Sequence, residues 1–166
     1  MSSDMRSSKQ RGDASVTRDI TDDLNRLMAE EVEACLRYFQ MRLRLRDRDY
    51  AVAEAFFEEA IKETMEHATA IAQQIRSLGE IPTLRVNLTL GGGPVRLEAA
   101  LTEALEVEQQ ALDAYTDLLP RVVDDPAVAD FIRRQVEVET EHVRAIRAFA
   151  ECKSTMKLVA PVETDP

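Results

Sequence analysis

The chain has 166 residues, of which 45% are hydrophobic and 31% charged, with a formal net charge of −10; that is enough sequence for one domain with a buried core. Five glycines and six prolines are too few for the turns of a β-sandwich or barrel, and the acidic balance excludes a nucleic-acid binder, whose phosphate contacts need a basic face. No apolar run approaches the ~18 residues of a membrane helix. The first residues hold no apolar signal core, and Cys35 and Cys152 are too few for a disulfide framework, so a reduced, cytoplasmic protein is expected.

Residues 1–18, rich in Ser, Arg and Asp without apolar period, read as a flexible tail. Residues 19–152 read as four helices. The first starts near Thr21, a capping residue followed by Asp22 and Asp23, and runs to about Arg46, with Leu24, Leu27, Met28, Cys35 and Tyr38 on one stripe. The second spans about Tyr50 to Leu78 and stops at Gly79, with Pro82 behind it. A third covers about Val95 to Leu119 and ends at Pro120. The fourth starts at Asp125-Pro126, a cap with proline in the first turn, and reaches about Phe149. Residues 153–166, with Pro161 and polar ends, read as an irregular tail.

Two connections are short and make antiparallel hairpins. The middle one, Glu80 to Pro94, is long enough to run the length of a bundle, which would leave helices two and three parallel. An internal repeat supports this crossover. Glu31-x-x-Ala34-x-x-x-Tyr38 on helix one is matched by Glu108-x-x-Ala111-x-x-x-Tyr115 on helix three, and Glu66-His67 on helix two by Glu141-His142 on helix four.

At 100° per residue, Glu31 lies in the middle of the first apolar stripe. Glu108 lies among Leu101, Leu105, Leu112 and Tyr115, while Glu139 and His142 fall with Phe131, Ile132, Ile146 and Phe149. A buried carboxylate without a partner costs several kcal/mol, so three glutamates in a core need cations or protons. One such residue would be an ordinary satisfied polar group, bonded for example by Tyr38 or Tyr115. Five at repeated spacing on four facing helices, with both of the chain's histidines among them, make an oxygen-and-nitrogen site for first-row metals.

These residues resemble the bacterioferritins and the wider ferritin-like superfamily of carboxylate-bridged di-iron proteins, over about residues 20 to 150. The resemblance implies an all-α, ferritin-like four-helix bundle. It implies Glu31 and Glu108 as terminal iron ligands, Glu139 as a bridge, His67 and His142 as nitrogen ligands, and Tyr38 beside the iron. The family's helix-two Glu-x-x-His reads Thr64-Met65-Glu66-His67 here, so one bridging carboxylate is absent. Glu63, four residues before His67, is either its substitute or a surface charge. Met65 matches the position of a haem-binding methionine, and is either that haem b ligand or an ordinary methionine in a subunit contact.

The implied activity is that of a ferroxidase: Fe(II) is oxidised by O2 or peroxide at a di-iron centre, and ferric iron is stored inside a homo-oligomeric cage. Two alternatives accompany it. One is a subunit weakened by Thr64, which stores iron or carries haem beside an active related subunit. The other is a rubrerythrin-like di-metal peroxidase or oxidase. The C-terminus departs from the bacterioferritin pattern, which leaves the size of any cage open.

Overall fold

Apolar residues at helical spacing, uninterrupted by proline, build four long helices in this computed structural model, which describes the backbone of residues 2–159 and the side chains of 18–46, 51 and 53–151. Helix α1 (Ser2–Arg44) is followed by α2 (Asp47–Ser77), α3 (Leu97–Leu118) and α4 (Pro126–Val159), with a 3-10 turn at Leu119–Arg121. Among the described residues, no helix is long and apolar enough to cross a membrane.

The stop and start signals operate as the sequence indicates. Gly79 adopts φ 84°, its N–H bonds the Arg76 carbonyl at 3.0 Å, and the Glu80 N–H bonds that of Ile75 at 3.3 Å; together they close α2. Asp125 Oδ1 accepts from the N–H groups of Ala127 (3.1 Å) and Val128 (3.2 Å), capping α4. The outer ends differ from expectation. Helix α1 begins at Ser2, so Thr21 lies inside it, buried, with a hydroxyl that has no hydrogen-bond partner, and it caps nothing. No proline precedes Arg44 to end the pattern earlier. Helix α4 likewise runs on to Val159, because no Gly or Pro follows Pro126 until Pro161. The side chains of the expected N-terminal tail (all but Arg18), and residues 160–166 of the expected C-terminal tail, lie outside the described residues.

The long connection is a crossover laid along α1. Its contacts advance in step with that helix: the Thr83 N–H bonds Asn25 Oδ1 (2.7 Å), the Asn87 N–H bonds Glu33 Oε1 (3.0 Å), and Gln40 donates to the Gly91 carbonyl. Arg44 Nε then donates to the Gly93 carbonyl at 2.8 Å, and the Val95 N–H bonds the Arg44 carbonyl at 2.8 Å. The segment thus climbs about 30 Å of α1. It leaves α2 and α3 parallel, with α1 and α4 running the other way.

The core falls into two apolar clusters. At one end Leu24, Leu27, Ile71, Ile75, Leu118 and Ile132 pack together; at the other, Met41, Phe57, Leu97, Leu101 and Ile146 do so. Every helix passes from one cluster to the other through a buried polar position: Glu31 on α1, Thr64 on α2, Glu108 on α3 and Glu139 on α4. A polar layer therefore crosses the middle of the bundle. At the lower rim of the first cluster, Arg121 clamps the buried Asp23 carboxylate through both nitrogens (2.6 and 3.0 Å), tying α1 to the turn that joins α3 and α4.

Candidate metal centre

Each acidic side chain enters the layer because it sits on its helix's apolar stripe, and each histidine because it lies one turn from a buried position. Glu139 is the centre of the arrangement, 1% exposed. Its Oε1 lies 3.0 Å from His67 Nδ1 and its Oε2 3.5 Å from His142 Nδ1, so one carboxylate spans both imidazoles. Glu31 Oε2 approaches His67 Nδ1 at 3.6 Å, and Glu108 Oε2 approaches His142 Nδ1 at 3.3 Å. The two rings lie nearly parallel, 13° apart, with centroids separated by 5.3 Å. Nδ1 of both histidines thus faces the carboxylates.

The tyrosines cross between the two helix pairs. Tyr115 of α3 donates to Glu31 Oε1 of α1 at 2.6 Å, while Tyr38 of α1 donates to Glu108 of α3. Each hydroxyl holds the glutamate of the other repeat and leaves one carboxylate oxygen turned toward a histidine. Burial, followed by the neighbouring Glu108 for Tyr38 and Glu31 for Tyr115, pushes both phenols well above their usual range, so they stay protonated donors.

Electrostatics in the layer are a contest between burial and pairing. Burial alone would lower both imidazoles, but the carboxylates of Glu139 and Glu31 beside His67 push it up to about 10, and those of Glu108 and Glu139 beside His142 push it up to about 10. For Glu139 burial acts upward and is overcome by His142 and His67, which bring it down to about 2. Burial dominates at Glu31 and Glu108 and raises both carboxyls. Without a cation, protons on the two stacked imidazoles are what offset the buried Glu139 carboxylate.

The donor set fits a first-row metal ion. His67 Nδ1 and Glu139 Oε1 are both buried and 3.0 Å apart, yet neither makes a hydrogen bond. Such orphaned groups need an explanation, and a cation between them supplies one. His67, Glu139 and His142 each offer a ligand atom within 4.8 Å of the others. Carboxylate oxygens with imidazole nitrogens and no thiolate suit iron or manganese, and also zinc.

The structure divides the α2 candidates. Thr64 is buried at the expected position, but its hydroxyl donates to the Ala60 carbonyl of its own helix at 2.8 Å and adds no ligand to the layer. Glu63, expected as a companion of His67, instead lies beside His142, its Oε2 3.6 Å from Nε2. One turn before His67, on a helix antiparallel to α4, it comes level with that ring and stays partly exposed. Met65 points outward, 45% exposed, onto a groove lined by Cys35, Ile61, Lys62 and Thr69. Cys35 is buried, with its Sγ 3.6 Å from the Ile61 carbonyl, and burial pushes the thiol up. Gln135, not among the expected site residues, is buried one turn before Glu139 beside Tyr115. Its place on the same stripe as Glu139 was the available signal.

A cavity of about 310 Å³ opens between α1 and α3. It is lined by Glu30, Glu31, Glu33, Arg37, Gln110 and Tyr115, and so leads from the surface to the Glu31 carboxylate.

No curated protein sequence matches this chain. Solved structures do. The bacterioferritin of Desulfovibrio desulfuricans, whose di-iron site was studied in different catalytic states, superimposes with a TM-score of 0.76 at 22% identity over 87% of this chain and 84% of that one. The bacterioferritin-related protein of Bacteroides fragilis, a dodecameric thioferritin, gives 0.74 at 22% identity, covering 85% and 89%. A Dps protein from Bacillus brevis gives 0.73 at 17% identity, covering 81% and 97%. At these identities the likeness is one of fold, and none of these likenesses speaks for haem at Met65. The ferritin-like domain model matches residues 21–154, from within α1 to within α4. The chain belongs to the ferritin-like family.

Proposed function

We propose that this protein binds Fe(II) as substrate in the polar layer, oxidises it, and stores the ferric product in a shell of identical subunits. In this reading Glu31 and His67 hold one ion, Glu108 and His142 hold the other, and Glu139 is shared. The observation that carries it is the Glu139 carboxylate, with one oxygen turned to each histidine in a buried layer. Iron supplies the redox chemistry. Two Fe(II) release two electrons, and dioxygen taking them up with two protons becomes peroxide, while peroxide taking up two more with two protons becomes water.

The chain's own contribution is to bind and orient. Tyr38 and Tyr115 keep Glu108 and Glu31 aimed at the histidines, and both apolar clusters exclude bulk water from above and below. The acidic cavity between α1 and α3, with Glu30 and Glu33 near its mouth, draws cations toward Glu31. Haem has no part in this reading. Thr64 favours a second one: with a single shared carboxylate, the subunit oxidises iron slowly and works beside a more active related chain.

The test is to load metal-free protein with Fe(II) under argon, admit air and follow the ferric absorbance, with a sizing column run in parallel. Oxidation well above the buffer rate by a large, hollow assembly supports the main reading. Slow oxidation by the same assembly supports the second. A dimer that oxidises iron without retaining it points to the di-metal peroxidase or oxidase class. A protein that neither binds nor oxidises iron refutes all three.

A further inference from the structure

We propose that Glu63 is a positioning residue for His142, and that it makes the Glu108–Glu139–His142 position the tighter of the two and the first to fill. The inference rests on the metal-centre reading above and deepens it. His142 presents Nδ1 to Glu108 (3.3 Å) and Glu139 (3.5 Å), and its opposite nitrogen, Nε2, to Glu63 at 3.6 Å. A metal ion held among the carboxylates takes the Nδ1 lone pair, which puts the remaining imidazole proton on Nε2, facing Glu63. A carboxylate accepting that proton fixes the tautomer and the ring plane and makes the ligating nitrogen more basic. Glu63 is therefore not the missing bridge: it lies on the far side of the ring from Glu139.

The other half has no such partner. Both carboxylates within ion-pair distance of His67 approach its Nδ1, and among the described residues none reaches its Nε2. The repeat gives the reason. Glu63 precedes Thr64, which corresponds to Glu139, and the residue before Glu139 is Val138. The carboxylate that α2 lends to His142 thus has an apolar counterpart on α4. The two positions share one bridge and have matching glutamates and tyrosines, so the outer carboxylate is what distinguishes them.

Co(II) alone, titrated into the full metal-free chain under argon, reports each position through its visible absorption. The unmutated chain takes up two Co(II) in unequal steps; H142A removes the first step and H67A the second. E63L weakens the first step about 10–100-fold and leaves the second in place, while E63Q, which keeps an acceptor oxygen, weakens it less. Position 63 is partly exposed, so folding is preserved, and circular dichroism checks this. Two equal steps, or an E63L variant whose first step is unchanged or whose two steps weaken alike, would overturn the inference while leaving the metal centre standing. No Co(II) binding by the unmutated chain would overturn both.

Discussion

The α1–α2 pair and the α3–α4 pair place the same chemistry at the same height, and they differ at one buried position. Each contributes a glutamate, a tyrosine and a histidine to the polar layer, and each tyrosine reaches across to the other pair's glutamate. At the fourth position α4 has Glu139, extended between both imidazoles, whereas α2 has Thr64, folded back on its own carbonyls. A carboxylate there must be matched by a proton or a metal; a threonine satisfied by its own helix needs neither. The difference teaches that one polar position of a repeated buried layer can be filled by a side chain satisfied within its own helix. In the proposed centre Glu139 is then the one bridge.

Breaking the bridge should have the largest effect. Glu139→Ala removes the one carboxylate that both halves share, so metal affinity should fall by more than about 100-fold at both positions and iron oxidation should drop to the buffer rate. Equilibrium dialysis and ferric absorbance would show it. Repairing the symmetry comes next. Thr64→Glu places a second carboxylate opposite Glu139. Burial of this extra charge should cost the metal-free protein several kcal/mol, read as a lower melting temperature in chelator, and two bound metal ions should restore the loss.

Proton competition affects both halves alike. Both imidazoles sit at about 10 in the metal-free protein against 6.5 for the free side chain, so their contribution to folding is complete below about pH 6.5 and fades as pH rises toward 10. Glu139, lowered to about 2 from 4.5, contributes above pH 4.5 and is lost as pH falls toward 2. Metal-free stability should therefore peak between those limits and decline on both sides in thermal melts. Metal binding has the opposite slope on the alkaline side: it displaces imidazole protons, so affinity should increase from pH 6 to 9. Calorimetry in buffers of different ionisation heat would count the protons released.

The smallest effects should separate the halves. Tyr38→Phe removes the donor to Glu108, and Tyr115→Phe the donor to Glu31. Each should cost about 1–3 kcal/mol of stability in chemical denaturation and weaken chiefly the position whose glutamate it holds.

Much of this organisation was legible in the sequence. Stripe position alone put Glu31, Glu108 and Glu139 inside the core, Gly79 and Asp125 marked helix ends, and the length of the 80–94 segment indicated a crossover. Other features were not legible, for physical reasons. Side-chain reach across helices is not a property of spacing, so the pairing of Glu63 with His142, and not with His67, required the antiparallel packing of α2 on α4. The crossed tyrosine–glutamate bonds depend on the same packing. Thr21 carries the local pattern of a cap, but α1 already runs through it from Ser2, and a capping residue inside a continuing helix caps nothing.

The central claim is that Glu139 is shared between two metal ions. Anomalous diffraction at the iron edge, from crystals grown anaerobically with Fe(II), tests it most directly. The account predicts two peaks about 3.5–4 Å apart, one beside Glu31 and His67, the other beside Glu108 and His142, with Glu139 touching both. An empty polar layer, or iron bound only at surface carboxylates, would contradict it.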